Sequence, residues 1–405
     1  MEKHGADPSP RPIDPEARLA GSINGAQEQR QPETLADLGE WELIRRLGSF
    51  APPGQFADDA ALLHLPGAGA QKPGLARQPD AAAQGGSEGG EAAEAGAAAG
   101  GPALVVNTDV LVEGIHFSDS TTAAADVGWR AAAANLSDLA AMGCTEVVGL
   151  TVGLVAPAST PWSWVEGVYG GLREALGTYG GVLLGGDCSG GGQRILAITA
   201  IGRLAMATAP GPPGSGPIRR RDGRPGDRLV CTGPHGLSRL GLALLQGEIV
   251  AGRLDPALAE RAIAAHQRPR PRFDAVRALI SSRPAAEPWR VGGCDSSDGL
   301  AAAVGAIAAA SGCAARLQAT CLPLDPAMAG LPEARSWCLE GGEDFELVLA
   351  LEPHWAEALI AALPETTRIG ELVAGEAGAL GWADGAPWSA GDGGHPATSG
   401  YSHFS

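Results

Sequence analysis

The chain is nearly without lysine. Of its 405 residues only Lys3 and Lys72 are lysines, and both fall in segments of low complexity. A folded body with no lysine excludes a Walker A loop, whose lysine reaches the β- and γ-phosphates, and the protein-kinase set with its strand lysine. Schiff-base lysine chemistry is excluded as well. Any phosphate handled here is met by metals, arginine or backbone N–H groups. Positive charge is also in deficit. Lys+Arg 29 against Asp+Glu 46 leaves a net charge of −17, which argues against a nucleic-acid or anionic-membrane binder, both of which need a basic face. No apolar run approaches the roughly 18 residues of a membrane-spanning helix. Met1 to Pro12 is polar and has no apolar h-region, so no secretory signal is expected, and its acidity argues against a transit peptide. The 7 cysteines form no C-x-x-C pair. Small buried thiols in a reducing cytoplasm are expected, rather than a disulfide framework or a zinc site.

What the chain does have is apolar content of 44%, enough for a packed core, and Gly 60 with Pro 31 in no collagen-like period. Part of that glycine and proline must sit in low-complexity loops. The length predicts two domains or one large one. Residues 1–34 read as a disordered tail. Residues 35–218 read as an N-terminal domain carrying a flexible Gly/Ala insertion at 67–102, and 219–405 as a C-terminal domain. Further insertions are read at 207–217 and 374–398. The boundary rests on the Pro/Gly stretch and on Arg219-Arg220-Arg221.

Thr34 is placed as the N-cap of a helix from Leu35. Strands are expected at 60–65, 104–107, 147–155, 181–184, 195–204, 229–232 and 346–351. Helices are expected at 123–142, 162–177, 237–245, 256–266, 301–311 and 353–363. This alternation predicts a mixed α/β protein.

Carboxylates recur beside apolar runs and small residues. The sites are Asp58-Asp59, Asn107-Thr108-Asp109, Asn135-Leu136-Ser137-Asp138, Gly185-Gly186-Asp187, Asp295-Ser296-Ser297-Asp298-Gly299 and Gly341-Gly342-Glu343-Asp344. Any one alone reads best as a helix cap, a turn or a polar helix face. Six in one chain, several at expected strand ends where α/β folds bind ligands, point instead to a site. Facing carboxylates repel and raise one another's pKa. A divalent cation relieves this, and Mg²⁺ is commonly held by one or two carboxylates plus substrate phosphates. The Gly-Gly pairs are read as letting backbone approach a ligand.

At these residues the sequence closely resembles the thiamine-monophosphate kinase family, of the superfamily that includes aminoimidazole ribonucleotide synthetase. The resemblance also covers Val112-Glu113-Gly114-Ile115-His116-Phe117, Arg224-Pro225-Gly226-Asp227 and Gly400-Tyr401-Ser402-His403-Phe404, in the family's order from about 35 to 404. It implies ATP-dependent conversion of thiamine monophosphate to thiamine diphosphate in a cytoplasmic enzyme. It implies a two-domain α/β (α+β) fold whose N-terminal sheet pairs with its twin in a homodimer barrel. Carried over by residue, the Mg²⁺ set is Asp59, Asp109, Asp138, Asp187, Asp295 and Asp298, with Asp58 and Thr108 assisting. ATP contacts are Asn107, Tyr169, Gly186, Asp187, Ser297 and Arg220, the last interchangeable with Arg219 or Arg221. The thiamine phosphate side is His116, Glu343 and Tyr401. Departures from the pattern are Ala57 for glycine, Asn107 for Ser or Thr, Ser296 for an aliphatic residue, and the 67–102 insertion. None removes a carboxylate.

The acceptor is a phosphate monoester with a second pKa near ~6, so it needs no general base. The resemblance therefore implies direct in-line transfer without a phosphoenzyme. Three rivals fit less well. A selenophosphate synthetase needs an early catalytic cysteine, but none precedes Cys144. A binding protein on the same fold would have lost a carboxylate. A calcium protein would show an EF-hand loop.

Overall fold

The computed structural model describes residues 34–64 except 53, 103–205, 215–386 except 251 and 253, and 388. The tail to residue 33, the 67–102 insertion, part of the 207–217 stretch and Tyr401 with its motif lie outside the described residues.

Helix α1 (Leu35–Leu47) opens on the expected cap: Asp37 N–H donates to Thr34 Oγ1 and the Asp37 carboxylate accepts from Thr34 N–H. The first sheet joins β1 (Ala61–His64), β2 (Ala103–Val112), β3 (Cys144–Ala156), β4 (Val182–Gly190) and β5 (Ile195–Leu204) in the order β1-β2-β5-β3-β4. Strands β2 and β5 pair antiparallel from Leu104↔Arg203 to Val112↔Ile195. β4 runs parallel to β3, which requires a crossover, supplied by α3 (Trp162–Tyr179). β5 alternates strictly between buried and half-buried residues, so Leu196, Ile198 and Ala200 meet the core and their neighbours the other face. The inner face is covered by α2 (Ala124–Ala141), whose Ala131, Ala132, Ala133 and Ala140 are fully buried.

The second sheet has the order β11-β8-β10-β6-β9-β7, from β6 (Arg228–Cys231), β7 (Gly292–Asp295), β8 (Ala314–Leu317), β9 (Leu347–Leu351), β10 (Thr367–Val373) and β11 (Leu380–Trp382). Around it lie α4 (Leu237–Leu245), α5 (Pro256–Gln267), α6 (Phe273–Ser282), α7 (Leu300–Ala310), α8 (Ala334–Glu340) and α9 (Pro353–Ala362). α7 is apolar throughout, as a buried helix should be.

The two halves share one core: Leu347, Leu349 and Leu351 of β9 belong with the α2 and α3 side chains in a single cluster. Their junction is also polar. Trp129 Nε1 donates to Pro269 O at 2.8 Å, and Arg268 lies over the Trp129 ring at 5.3 Å while bonding Asp126 and Glu174.

Several elements were not read from the local sequence. α6, α8, β7, β8 and β10 were not expected, and β11 lies inside the stretch read as the 374–398 insertion. Most are short or glycine-containing strands whose partners are remote in sequence, so no local period marks them. The Asn107-Thr108-Asp109 and Gly185-Gly186-Asp187 motifs sit within strands rather than at strand ends, because β2 and β4 run longer than their apolar runs. Among the described residues no helix is long and apolar enough to cross a membrane. All seven cysteines are free, and five are buried.

Candidate active site

The period of β2 decides which side chains turn inward. Val105, Asn107, Asp109 and Leu111 share the face covered by α2, whereas Thr108 and Val110 share the other. On α2, Arg130, Ser137 and Asp138 stand at i, i+7 and i+8, so they share a face. Asn135 and Ser137 are completely buried, which rules out the solvated polar face that the sequence alone allowed.

Asn135 organises β2. Its Oδ1 accepts from Asp109 N–H at 3.1 Å and from Asn107 Nδ2 at 3.2 Å, and its Nδ2 donates to Ala131 O. Asn107 Nδ2 also donates to Asp138 Oδ2 at 2.7 Å, leaving the buried Asn107 Oδ1 without a partner. Ser137 Oγ reaches across to Asp295 Oδ2 at 2.6 Å, tying α2 to the end of β7. Asp295 Oδ1 in turn accepts from Ser297 Oγ at 3.2 Å.

From the loop before β1, Asp59 pairs with the Arg220 guanidinium and accepts from Asp295 N–H at 3.3 Å. Asp58 Oδ1 accepts from Arg220 N–H at 2.9 Å. Thus Arg220 holds both aspartates, one by its guanidinium and one by its backbone N–H. Ser296, where the family pattern has an aliphatic side chain, is fully buried and satisfied. Glu346 N–H donates to its Oγ at 3.2 Å, and the same hydroxyl lies 2.9 Å from His235 Nε2.

Six carboxylates from four parts of the chain therefore feel one another. Burial pushes Asp59 up to about 6, with Arg220 opposing and Asp295 and Asp58 adding to the rise. Asp109 rises to about 6 through burial, then Asp298 and Asp59. Asp138 is driven well above the carboxylate range by burial, Asp109, Asp295 and Asp59. Asp295 also rises through burial, restrained by its bonds from Ser137 and Ser297. The Arg220 guanidinium by itself does not neutralise this group. Among the described residues, however, no three His, Cys, Asp or Glu side chains are grouped so as to hold a metal by themselves. Hard oxygen donors, mutual repulsion and an unpartnered Asn107 oxygen suit Mg²⁺ completed by substrate phosphates rather than an all-protein cage.

Glu343 lies on a strained turn. Glu343 and Phe345 have φ of 56° and 53°, in the left-handed region that costs a non-glycine residue free energy. Gly342 precedes them with φ of +66°, and a Cβ there would lie 2.8 Å from Ser297 O. The turn is held by Glu343 N–H donating to Ser297 O at 2.7 Å and by Asp344 accepting from Gly236 and Ser238 N–H. Glu343 Oε1 accepts from Arg130 Nη2 at 2.6 Å, and the same nitrogen donates to His116 O at 3.4 Å. His116 and Glu343, remote in sequence, are thus brought together. His116 Nδ1 accepts from Val112 N–H at 3.0 Å, so the neutral ring carries its proton on Nε2 and acts as a donor.

Four predicted residues are not gathered here. Thr108 turns to the opposite face of the sheet, where its hydroxyl meets Thr199 Oγ1 at 2.8 Å. Gly186 and Asp187 sit on the edge strand β4, and Tyr169 on the adjoining α3. The register Asp109↔Ile198, Val152↔Ile198, Val152↔Gly186 puts β4 three strands from β2, about 14 Å at normal spacing. Gly186 also has a structural reason to be glycine: a Cβ there would lie 1.9 Å from Val152 O. Gly186→Ala is therefore expected to push β4 off β3 and cost about 1–3 kcal/mol. A thermal melt identical to the parent's would refute that packing.

Sequence reasoning passed over Arg130, and named Asn135 and Ser137 only as motif residues. Their position on one helix with Asp138 was the available signal.

Comparison with known proteins bears on the chain as a whole. Family models described as AIR synthase related protein match residues 90–204 with its N-terminal domain and 224–383 with its C-terminal domain. A thiamine-monophosphate kinase from Prochlorococcus marinus is 42% identical over 361 residues, 89% of this chain and 95% of that protein. The chain belongs to the thiamine-monophosphate kinase family. The kinase of that name from Synechococcus elongatus is 44% identical over 83% of this chain and 89% of its own. The fold is shared with AaThiL, solved in complex with AMPPCP and TMP, at a TM-score of 0.68 and 24% identity, covering 92% of this chain and 99% of that one.

Proposed function

We propose that this protein transfers the γ-phosphoryl group of ATP to thiamine monophosphate, forming ADP and thiamine diphosphate. The observation that carries it is the match to kinases of that name along 95% and 89% of their lengths. The relative complexed with AMPPCP and TMP holds an ATP analogue and the acceptor on this fold.

Asp59, Asp109, Asp138, Asp295 and Asp298 would hold Mg²⁺, with Asp58 beside them. Bound Mg²⁺ would supply positive charge between two polyanionic substrates. Arg220 adds a guanidinium bonded to an aspartate of this group, and Asn107 and Ser297 stand on the nucleotide side. His116 Nε2–H and Glu343 orient the acceptor, and Tyr401 supplies a ring to the thiamine cation. No general base is assigned, because the acceptor phosphate is dianionic and His116 presents a proton rather than a lone pair. Transfer is direct and in line.

Gly186, Asp187 and Tyr169 enter through a second copy, while Thr108 faces the other side of the sheet. β4 is exposed along its whole length, with Val182, Leu183 and Leu184 bare to water. Beside it, α3 borders a groove of about 860 Å³ lined by Trp162, Val165 and Tyr169. A long apolar edge strand is a liability in a monomer. A homodimer closing on this edge would cover it and set Gly186, Asp187 and Tyr169 against a neighbouring site. We place the enzyme in the cytoplasm.

The test is ADP release with ATP, Mg²⁺ and thiamine monophosphate, with free thiamine and aminoimidazole precursors as controls. ADP and thiamine diphosphate should appear only with the monophosphate. Silence with that acceptor would overturn the assignment, and a labelled phosphoprotein trapped from ATP would overturn direct transfer. Protons should also compete with the metal. Asp59 and Asp109 ionise near pH 6, so Mg–ATP affinity is expected to be full above that pH and to weaken as pH falls through it. Titration calorimetry showing no change between pH 7.5 and 5.5 would exclude those two carboxylates as ligands.

A further inference from the structure

Arg130 is the one cation that the α2 helix carries into the interior, and it is only 3% exposed. A buried guanidinium is costly unless its donors are paired. Its two terminal nitrogens reach three separate segments. Nη1 donates to His266 O, at the end of α5. Nη2 donates to Glu343 Oε1 at 2.6 Å and to His116 O at 3.4 Å. Nε is buried and has no partner. One side chain from the first half of the molecule thereby spans the loop after β2, the strained Gly341–Phe345 turn and α5.

The other groups facing Glu343 do not duplicate this. His266 Nδ1 stands 3.6 Å from Glu343 Oε2, but burial drives that imidazole down to about 4, so it is neutral at working pH. Its ring also meets Ser238 Oγ at 3.3 Å. The Glu343 side chain remains one-third open to solvent, so a carboxylate edge is left for a ligand while Arg130 fixes the rest.

We infer that Arg130 is a positioning residue for the acceptor side of the reaction: it sets the Glu343 carboxylate and the His116 loop in one fixed relation. The inference rests on the proposed roles of Glu343 and His116 and extends them to a residue that touches neither substrate. A guanidinium suits the task because its rigid fork holds several acceptors in one plane. Lysine would keep the charge and one contact, but not the fork.

The test is steady-state kinetics on Arg130→Met, Arg130→Lys, Glu343→Gln and the Arg130→Met/Glu343→Gln double variant of the full chain, with folding checked by melting. Arg130→Met is expected to raise KM for thiamine monophosphate by about 10- to 100-fold, as loss of an outer supporting partner does, while KM for ATP stays put. Arg130→Lys should recover part of the loss, and it also serves if the methionine variant does not fold. The double variant should lose less than the two single losses combined, since Arg130 acts in part through that carboxylate. If Glu343→Gln raises KM for the acceptor but neither Arg130 variant does, the inference is wrong and the site reading stands. If Glu343→Gln itself leaves that KM unchanged, the site reading fails and takes the inference with it. Additive losses in the double variant, or an equal rise in KM for ATP, would make Arg130 a general structural residue and overturn the positioning role.

Discussion

Asp109→Asn is expected to lower phosphoryl transfer by roughly 10³-fold and, in metal-free buffer, to make the protein more stable. The two effects share one cause. Asp109 is pushed up to about 6 by burial and by Asp298 and Asp59, so its ionised form is unwelcome in the folded chain. A raised pKa means that the folded state holds a proton the unfolded chain has released. Stability therefore falls as pH rises from about 4 to 6, and the full cost persists above that. A tenfold change in proton affinity corresponds to about 1.4 kcal/mol, so removing the charge should return about 1–3 kcal/mol at pH 8, a rise of roughly a few degrees in melting temperature. Asparagine keeps the shape and the backbone bond to Asn135. It gives up an anionic oxygen, and a metal contribution of several kcal/mol corresponds to the rate loss. Melting curves with and without Mg²⁺ check this. A variant that melts below the parent without metal would show that repulsion does not dominate at Asp109, and retained activity would remove it from the metal set.

Arg220→Met should do the opposite to stability. Arg220 is the counter-ion of Asp59 and, through its backbone N–H, the anchor of Asp58. Removing one partner of a buried pair leaves an uncompensated charge, at a cost of about 3–5 kcal/mol. Without the guanidinium, the folded pKa of Asp59 climbs further above 6. The loss should therefore be largest at pH 8 and shrink as pH falls toward 5, where Asp59 takes up a proton in the folded state. Adding Asp59→Leu to Arg220→Met should restore the melting temperature but not activity. A loss independent of pH, or no recovery in the double variant, would mean that the pair is not what Arg220 contributes.

The same residues mark where pattern stops predicting place. Asp59, Asp109, Asp138, Asp295 and Asp298 were each visible as carboxylates beside small residues, and the structure draws them into one electrostatic group. Thr108 was equally visible in its motif, but the two-residue period of β2 turns it to the far face. Gly186 was read as ligand-approaching, and its nearest constraint is a strand neighbour's carbonyl. β7 and β8 were missed because Gly-Gly-Cys-Asp and Ala-Ala-Arg-Leu hold no β-branched or aromatic residue to mark a strand.

The sequence alone determined the chemistry available: no lysine for phosphate, a surplus of carboxylates, and ordered motifs of one family. These depend on composition and local order, which need no folding to read. Only the tertiary structure decided which motifs meet. Arg130 reaches Glu343 and Ser137 reaches Asp295 across more than 150 positions of chain. Such pairings are set by how α2 packs between the two sheets, where burial holds protons on carboxylates that would release them in water.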